Sequence, residues 1–422
     1  IKYFQQAVIE DSAFAMAYLY LSQVSPIAND FFENLEKAKL YLDAVSEGEK
    51  LWILGFDAGV NGYILKQRDY YTKLAALYPQ DERIQNLLGA HYFGQQDYEK
   101  AIEYYSKAIS INPDFSTPYN QLGYAQRFLY HYPQAEQAFK KYIELIPDDP
   151  NPYDSYAELL MKMGQFDRSI ELYQKALTFN PNFVASHIGI ASDLNFKGQH
   201  AQARNQLKKL FDLARNDGER RAAHFAVVVS YIDEGKMKDA LFELEKQYKI
   251  AEKTNDVASM AGDLVTMGNI YLEMGKFDEA AKRFEKTLLL TKNSTLSADV
   301  KNNFYRGFLY NMARLAINKQ DLSAAKGGTD EFCKQVEQIQ NPFQMRLCHE
   351  LKGMIAYAEQ DFSTALQDWQ LSNLQNPYNL YRIGMAYSGL KDTARAEEYY
   401  TQAKNFNALN NINYAFVRNR IK

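Results

Sequence analysis

The chain has 422 residues, more than one compact core usually organises, so it divides into domains or extends by repetition. Hydrophobic residues make up 46% and aromatics 14%, enough to bury a core and to exclude a disordered chain. The balance of 48 basic and 52 acidic residues, a net charge of −4, argues against nucleic acid as the main partner. Pro is sparse, at 11 residues, and Ala, Leu, Lys, Glu and Gln dominate, which favours an all-α fold.

In chain order, Ile1-Lys-Tyr-Phe-Gln-Gln-Ala-Val-Ile-Glu10 reads as a helix. Its Phe4 and Ala7 match an aromatic and a small position that recur downstream. That makes it the second helix of a pair whose first helix is missing upstream, and residues before Ile1 are expected.

From there a period of 34 residues governs the text. It separates Leu54-Gly55, Leu88-Gly89, Leu122-Gly123, Tyr156-Ala157 and Ile190-Ala191. It also separates Pro79, Pro113, Pro147 and Pro181, and again Ala101, Ala135, Ser169 and Ala203. A fourth track holds Tyr71, Tyr105, Phe139, Tyr173 and Leu207. Small residues such as Gly89 and Ala101 fit where the helices of a pair cross closely. Leu88, Tyr92, Tyr98, Tyr105 and Ala108 fall at helical spacing and form the buried stripes. Pro113 stops the second helix. Gly62, Gly164, Gly198, Gly235 and Gly275 stand at turns where a positive φ is expected.

Past about residue 214 the period lengthens to roughly 40 and becomes irregular. The division expected from this runs 1–217, with 1–14 belonging to the incomplete first repeat, and 218–422. Repeat starts are expected near Ala15, Gly48, Glu82, Ser116, Pro150, Val184, Arg221, Ala261, Arg306, Leu347 and Pro377. Asn411 to Lys422 reads as a last helix with a charged outer side, a cap for the array.

Reactive residues are few. Cys333 and Cys348 read as two small buried side chains, yet they flank Asn341-Pro342 at similar distances, so an antiparallel pair could bring them together. A bridge there would imply an oxidising compartment. The six His have no metal-binding spacing, and Cys348-His349-Glu350 diverge on a helix by about 100° per residue. No phosphate loop or nucleophile elbow is present, no cofactor or metal is expected, and no apolar run is long enough to span a bilayer.

The small, aromatic and proline spacing resembles the tetratricopeptide repeat family over nearly the whole chain. Ala251-Glu-Lys-Thr-Asn-Asp and Met267-Gly-Asn-Ile-Tyr-Leu-Glu-Met-Gly-Lys-Phe-Asp-Glu-Ala280 are similar to the longer-helix repeats of kinesin light chains and bacterial signalling regulators. The phrase Tyr142 to Tyr156 is similar to stand-alone exported bacterial repeat proteins, which inclines the expected location toward export. The resemblance implies an all-α, right-handed α-solenoid superhelix of about eleven helix pairs. First helices would line its concave face.

Family positions two, five, nine, twelve and thirteen point into that groove. On this chain the candidate binding residues are Arg83, Asn86, Phe93, Asn120, Tyr124, Arg127, Phe128, Asp154, Glu158 and Lys162. Amides can hydrogen-bond a peptide backbone, and aromatics with Arg127 supply contact area. The Lys and Asn pair of chaperone-binding members is absent, since Asn86 goes with Ala90 and Asn120 with Tyr124, so a carboxylate clamp is not expected. The function expected is a non-catalytic scaffold for a protein or peptide. The alternative is a sensor or regulatory arm of a larger kinase, cyclase or transcription regulator.

Overall fold

A pair of helices needs a tight reversal, and the reversal needs one residue with left-handed dihedrals. Gly62, Gly164, Gly198, Gly235 and Gly275 all have φ between 70° and 86°, as their positions predict. Gln96, Tyr130, Gln320, Gln360 and Lys391 take the same conformation at φ between 61° and 65° without glycine. The turn geometry is therefore imposed by the packing of the helices it joins.

The structure is a computed structural model and describes residues 1–25 and 27–421. Among the described residues it has 24 α-helices and no strand, and a leading and a closing helix flank eleven successive pairs. It divides into two compact units, Ile1–Asp193 and Leu194–Lys422.

In the first unit α1 (Lys2–Glu10) precedes α2 (Ala15–Val24) and α3 (Ala28–Leu40), then α4 (Glu47–Val60) and α5 (Ile64–Leu77). These are followed by α6 (Glu82–Gly94) and α7 (Tyr98–Ile111), α8 (Ser116–Phe128) and α9 (Tyr132–Leu145), α10 (Pro150–Lys162) and α11 (Phe166–Phe179). The unit runs into α12 (Val184–Phe196). Start signals are local: Ser46 and Glu49 form a capping box on α4, and the Asp81, Asp97 and Asp149 side chains cap α6, α7 and α10.

The pairs α4–α5, α6–α7 and α8–α9 share one recurring contact. A Cβ on Gly55, Gly89 or Gly123 would lie within 3.0 Å of ring atoms of Tyr71, Tyr105 or Phe139 on the following helix. Those rings are at most 2% exposed. Glycine is needed because the ring lies flat on the backbone of the first helix. The α10–α11 pair departs from this. Ala157 stands at the glycine position, and Tyr173 instead lies against Gly189 of α12.

In the second unit α13 (His200–Leu213) is followed by α14 (Asp217–Glu234) and α15 (Met237–Lys253), then α16 (Val257–Glu273) and α17 (Phe277–Lys292). Next come α18 (Ala298–Asn318) and α19 (Leu322–Ile339), α20 (Pro342–Ala358) and α21 (Phe362–Gln370), α22 (Pro377–Gly389) and α23 (Thr393–Lys404), and finally α24 (Ile412–Arg420). The helices from α14 to α20 are 16 to 21 residues long. Four first helices start at Asp217, Val257, Ala298 and Pro342, upstream of the expected Arg221, Ala261, Arg306 and Leu347. The frame is set by contacts such as Gly268 on Phe284 and Gly353 on Trp369, and the extra turns are added N-terminal to it.

The closing helix differs from a cap with a charged outer side. Helix α24 packs on α14, α22 and α23, at both ends of the second unit's sequence. Tyr414, Ala415, Phe416 and Val417 are buried in that contact. Its arginines are paired: Arg418 lies 3.4 Å from Asp233, and Arg420 lies 2.7 Å from Glu273. Lys422, the last residue of the expected cap, lies outside the described residues. Cys333 of α19 and Cys348 of α20 form a disulfide, with Cα atoms 5.6 Å apart.

Candidate functional site

The candidate residues lie on α6, α8 and α10, the first helices of three successive pairs in the unit 1–193. Neighbouring first helices touch, α6 with α8 and α8 with α10, whereas contacts between the second helices α7, α9 and α11 are sparser. The three first helices therefore form one continuous layer.

Four of the ten predicted residues are drawn together by charge. Tyr124 Oη donates to Glu158 Oε1 at 3.0 Å, and Arg127 Nη1 donates to Glu158 Oε2 at 3.1 Å. Arg127 also stacks 4.8 Å above the rings of Tyr124 and Phe128, a desolvated cation on two aromatic faces. Its Nε is buried without a hydrogen-bond partner. The Arg127–Glu158 pair is 12% and 14% exposed, so solvent screens it little.

Asp154 and Lys162 flank this pair. Asp154, 5% exposed, accepts a 2.7 Å hydrogen bond from Ser186 Oγ of α12. Burial and the Glu158 charge push its carboxyl up to about 8. Burial and the Arg127 charge bring Lys162 down to about 7. Its Nζ lies 5.7 Å from the centre of the Tyr130 ring.

Asn86 and Asn120 occupy equivalent places on α6 and α8. Each has a buried carboxamide oxygen with no hydrogen-bond partner. Such a group costs about 1–3 kcal/mol until a donor reaches it. Phe93 and Phe128 join Tyr98 in an aromatic cluster: Phe128 stacks on Tyr98 at 4.9 Å, and Phe93 meets both edge-on at 5.4 and 5.6 Å. Arg83 turns away into a bidentate pair with the α6 cap Asp81 and is 62% exposed.

Sequence reasoning missed Tyr173. It belongs to a second helix, yet the Glu158, Asp154 and Asp193 carboxylates act on its hydroxyl, which burial and these charges push well above the ordinary tyrosine range. Its Oη is buried and unpartnered. The signal was Ala157 in a glycine track with Gly189 two residues before the next expected small position.

Among the described residues no group of three His, Cys, Asp or Glu side chains could hold a metal ion. No described helix is long and apolar enough to cross a membrane.

Comparison with known proteins adds the family. The tetratricopeptide repeat model matches residues 83–115, 151–183, 264–296 and 378–408. No curated protein matches the chain. Similar solved structures include a tetratricopeptide repeat protein from Parabacteroides merdae, 16% identical, covering 62% of this chain and 99% of that one at a TM-score of 0.41. The APC/C hetero-tetramer Cut9-Hcn1 is 16% identical over 81% of this chain and 63% of that one, at a TM-score of 0.42. YrrB, described as a TPR protein with an unusual peptide-binding site, is 19% identical over 43% of this chain and 91% of that one, at a TM-score of 0.29. Repeats of this kind are typical of protein–protein interaction scaffolds and are generally non-catalytic. With the repeat matched at four places within a run of eleven helix pairs, the chain is a tandem tetratricopeptide-repeat protein.

Proposed function

We propose that the chain is a scaffold that holds an extended segment of another protein against α6, α8 and α10 and does no chemistry itself. The observation that carries this reading is the pair of buried, unpartnered carboxamide oxygens on Asn86 and Asn120, one repeat apart. Packed helices lie about 8–10 Å apart, and an extended chain rises about 3.3 Å per residue. In a polyproline II segment, with three residues per turn and a rise of about 3.1 Å per residue, backbone N–H groups three residues apart point to one side at that spacing. Each can pair with one of the two amides once the asparagine side chain turns outward, without reference to the segment's own side chains. Arg127, held between two rings and Glu158, supplies the anchor for an acidic or aromatic side chain.

The test is a phage-displayed peptide library selected on the full chain, with the selected peptides measured by calorimetry on Asn86→Ala and Asn120→Ala. Each variant is expected to bind at least tenfold more weakly. Neither is expected to lose melting temperature, because the alanine removes an acceptor that has no partner in the free protein. Equal affinity in both variants would place the binding face elsewhere. The Cys333–Cys348 disulfide supports an oxidising working compartment, since reducing cytosols keep such thiols open.

A further inference from the structure

In the unit 194–422, the C-terminal ends of α16, α18 and α20 and the first two turns of α22 converge on a cavity of about 390 Å³, with Arg420 of α24 on its wall. That size lies within the range of small-molecule sites, roughly 300–1,000 Å³. Met354, Tyr357, Tyr381 and Met385 line it, so much of its wall is apolar and polarisable. It is open past Asn318 and Gln320, both exposed.

Three guanidiniums also line it, and two are already matched. Arg382 Nη1 bonds Glu350 at 2.6 Å, a carboxylate that Tyr310 Oη also contacts at 2.6 Å. Arg420 Nη2 bonds Glu273 at 2.7 Å, and Tyr378 Oη donates to the same carboxylate at 2.8 Å. Arg314 is different. It donates to the neutral amide oxygens of Asn269 at 2.8 Å and Asn311 at 3.2 Å, and its buried Nε has no partner. Three cations thus face two carboxylates, and the excess positive charge sits on the guanidinium whose hydrogen-bond partners are neutral amides. An uncompensated, partly buried cation is costly and favours an anion that can share its desolvated setting.

We propose that this cavity binds a small organic carboxylate, its charged group pairing with Arg314 and its apolar body lying against Met354, Tyr357, Tyr381 and Met385. A planar carboxylate matches the fork of a guanidinium, and the methionine and aromatic walls favour a flat or aliphatic body over a sugar. The site is independent of the face proposed on α6, α8 and α10, and the fate of either reading leaves the other standing.

Calorimetry on the full chain tests it with monocarboxylates from acetate to 4-phenylbutyrate, their amides, and inorganic phosphate. At least one arylalkyl or alkyl carboxylate is expected to bind below about 1 mM and at least tenfold more tightly than its amide, than acetate and than phosphate. Arg314→Gln is expected to weaken that ligand at least tenfold. Met354→Trp, which fills the cavity and leaves the charge in place, is expected to abolish binding. Circular dichroism of both variants confirms folding, and the comparison of acid with amide on the wild type stands if Arg314→Gln does not fold. No binding by any carboxylate, or equal binding of acid and amide, would overturn the proposal. So would undiminished binding in a folded Arg314→Gln.

Discussion

Substituting alanine should raise stability at Gly262 and should not at Gly89. Both glycines sit inside helices, so both substitutions gain the same propensity, about 1 kcal/mol. At Gly262, on an exposed face of α16, an added Cβ meets nothing within 4 Å, and the gain is kept. At Gly89 three Tyr105 ring atoms lie within 3.0 Å, and Tyr105 is 0% exposed with no room to retreat. Overpacking of this kind costs about 1–3 kcal/mol, so Gly89→Ala should be neutral to about 2 kcal/mol destabilising. The difference between the two variants isolates the overpacking cost because the propensity term cancels. Urea denaturation followed by circular dichroism measures both. Truncating the ring in Gly89→Ala/Tyr105→Leu should recover at least about 1 kcal/mol as coupling energy. If Gly89→Ala stabilises the protein as much as Gly262→Ala, the ring-on-glycine contact does not hold the pairs together.

Asp154 titrates far above the 3.8 of an ordinary aspartate, at about 8, so the folded state binds a proton that the unfolded state releases. Its contribution is therefore fully present below about pH 4 and lost as pH rises toward 8. Asp154→Asn should flatten the fall in urea midpoint between pH 5 and 8, and an unchanged slope would show that another group sets it. Reduction of the Cys333–Cys348 disulfide, which closes a separation of 15 residues, should lower stability by about 3 kcal/mol. Alkylation of both cysteines without reductant would show instead that they are thiols. Phe416 of α24 is 3% exposed, and Phe416→Ala should cost about 3–5 kcal/mol in denaturation of the full chain. A loss below 1 kcal/mol would mean that α24 is only loosely applied to its neighbours.

The pairs α4–α5, α6–α7 and α8–α9 were legible because the contact that makes them is short in sequence and repeats, a glycine and a ring in consecutive helices, and the shared 34-residue period carried the reading to their neighbours. The starts of α14, α16, α18 and α20 were not, because longer helices add turns upstream of a frame written near their other ends. Tyr173 escaped because a single methyl, Ala157 in place of glycine, goes with a ring lodged on the next repeat. The candidate face was legible as a set of positions, but its internal pairing was not. That Tyr124 and Arg127 both choose Glu158, and that Arg83 turns back to Asp81, depends on side-chain reach and burial. The cavity in the second unit has no local signature at all, since Glu273 is bonded by Tyr378 and Arg420, 105 and 147 residues away.

The most direct test of the scaffold reading is photocrosslinking of a library-selected peptide to the full chain. Thr117→p-benzoylphenylalanine places the probe on α8 one turn from Asn120, and Gln137→p-benzoylphenylalanine places it on the exposed face of α9 as a control. The account predicts crosslinking from position 117 that excess unlabelled peptide competes away, and none from position 137. Crosslinking from position 137 alone would contradict it.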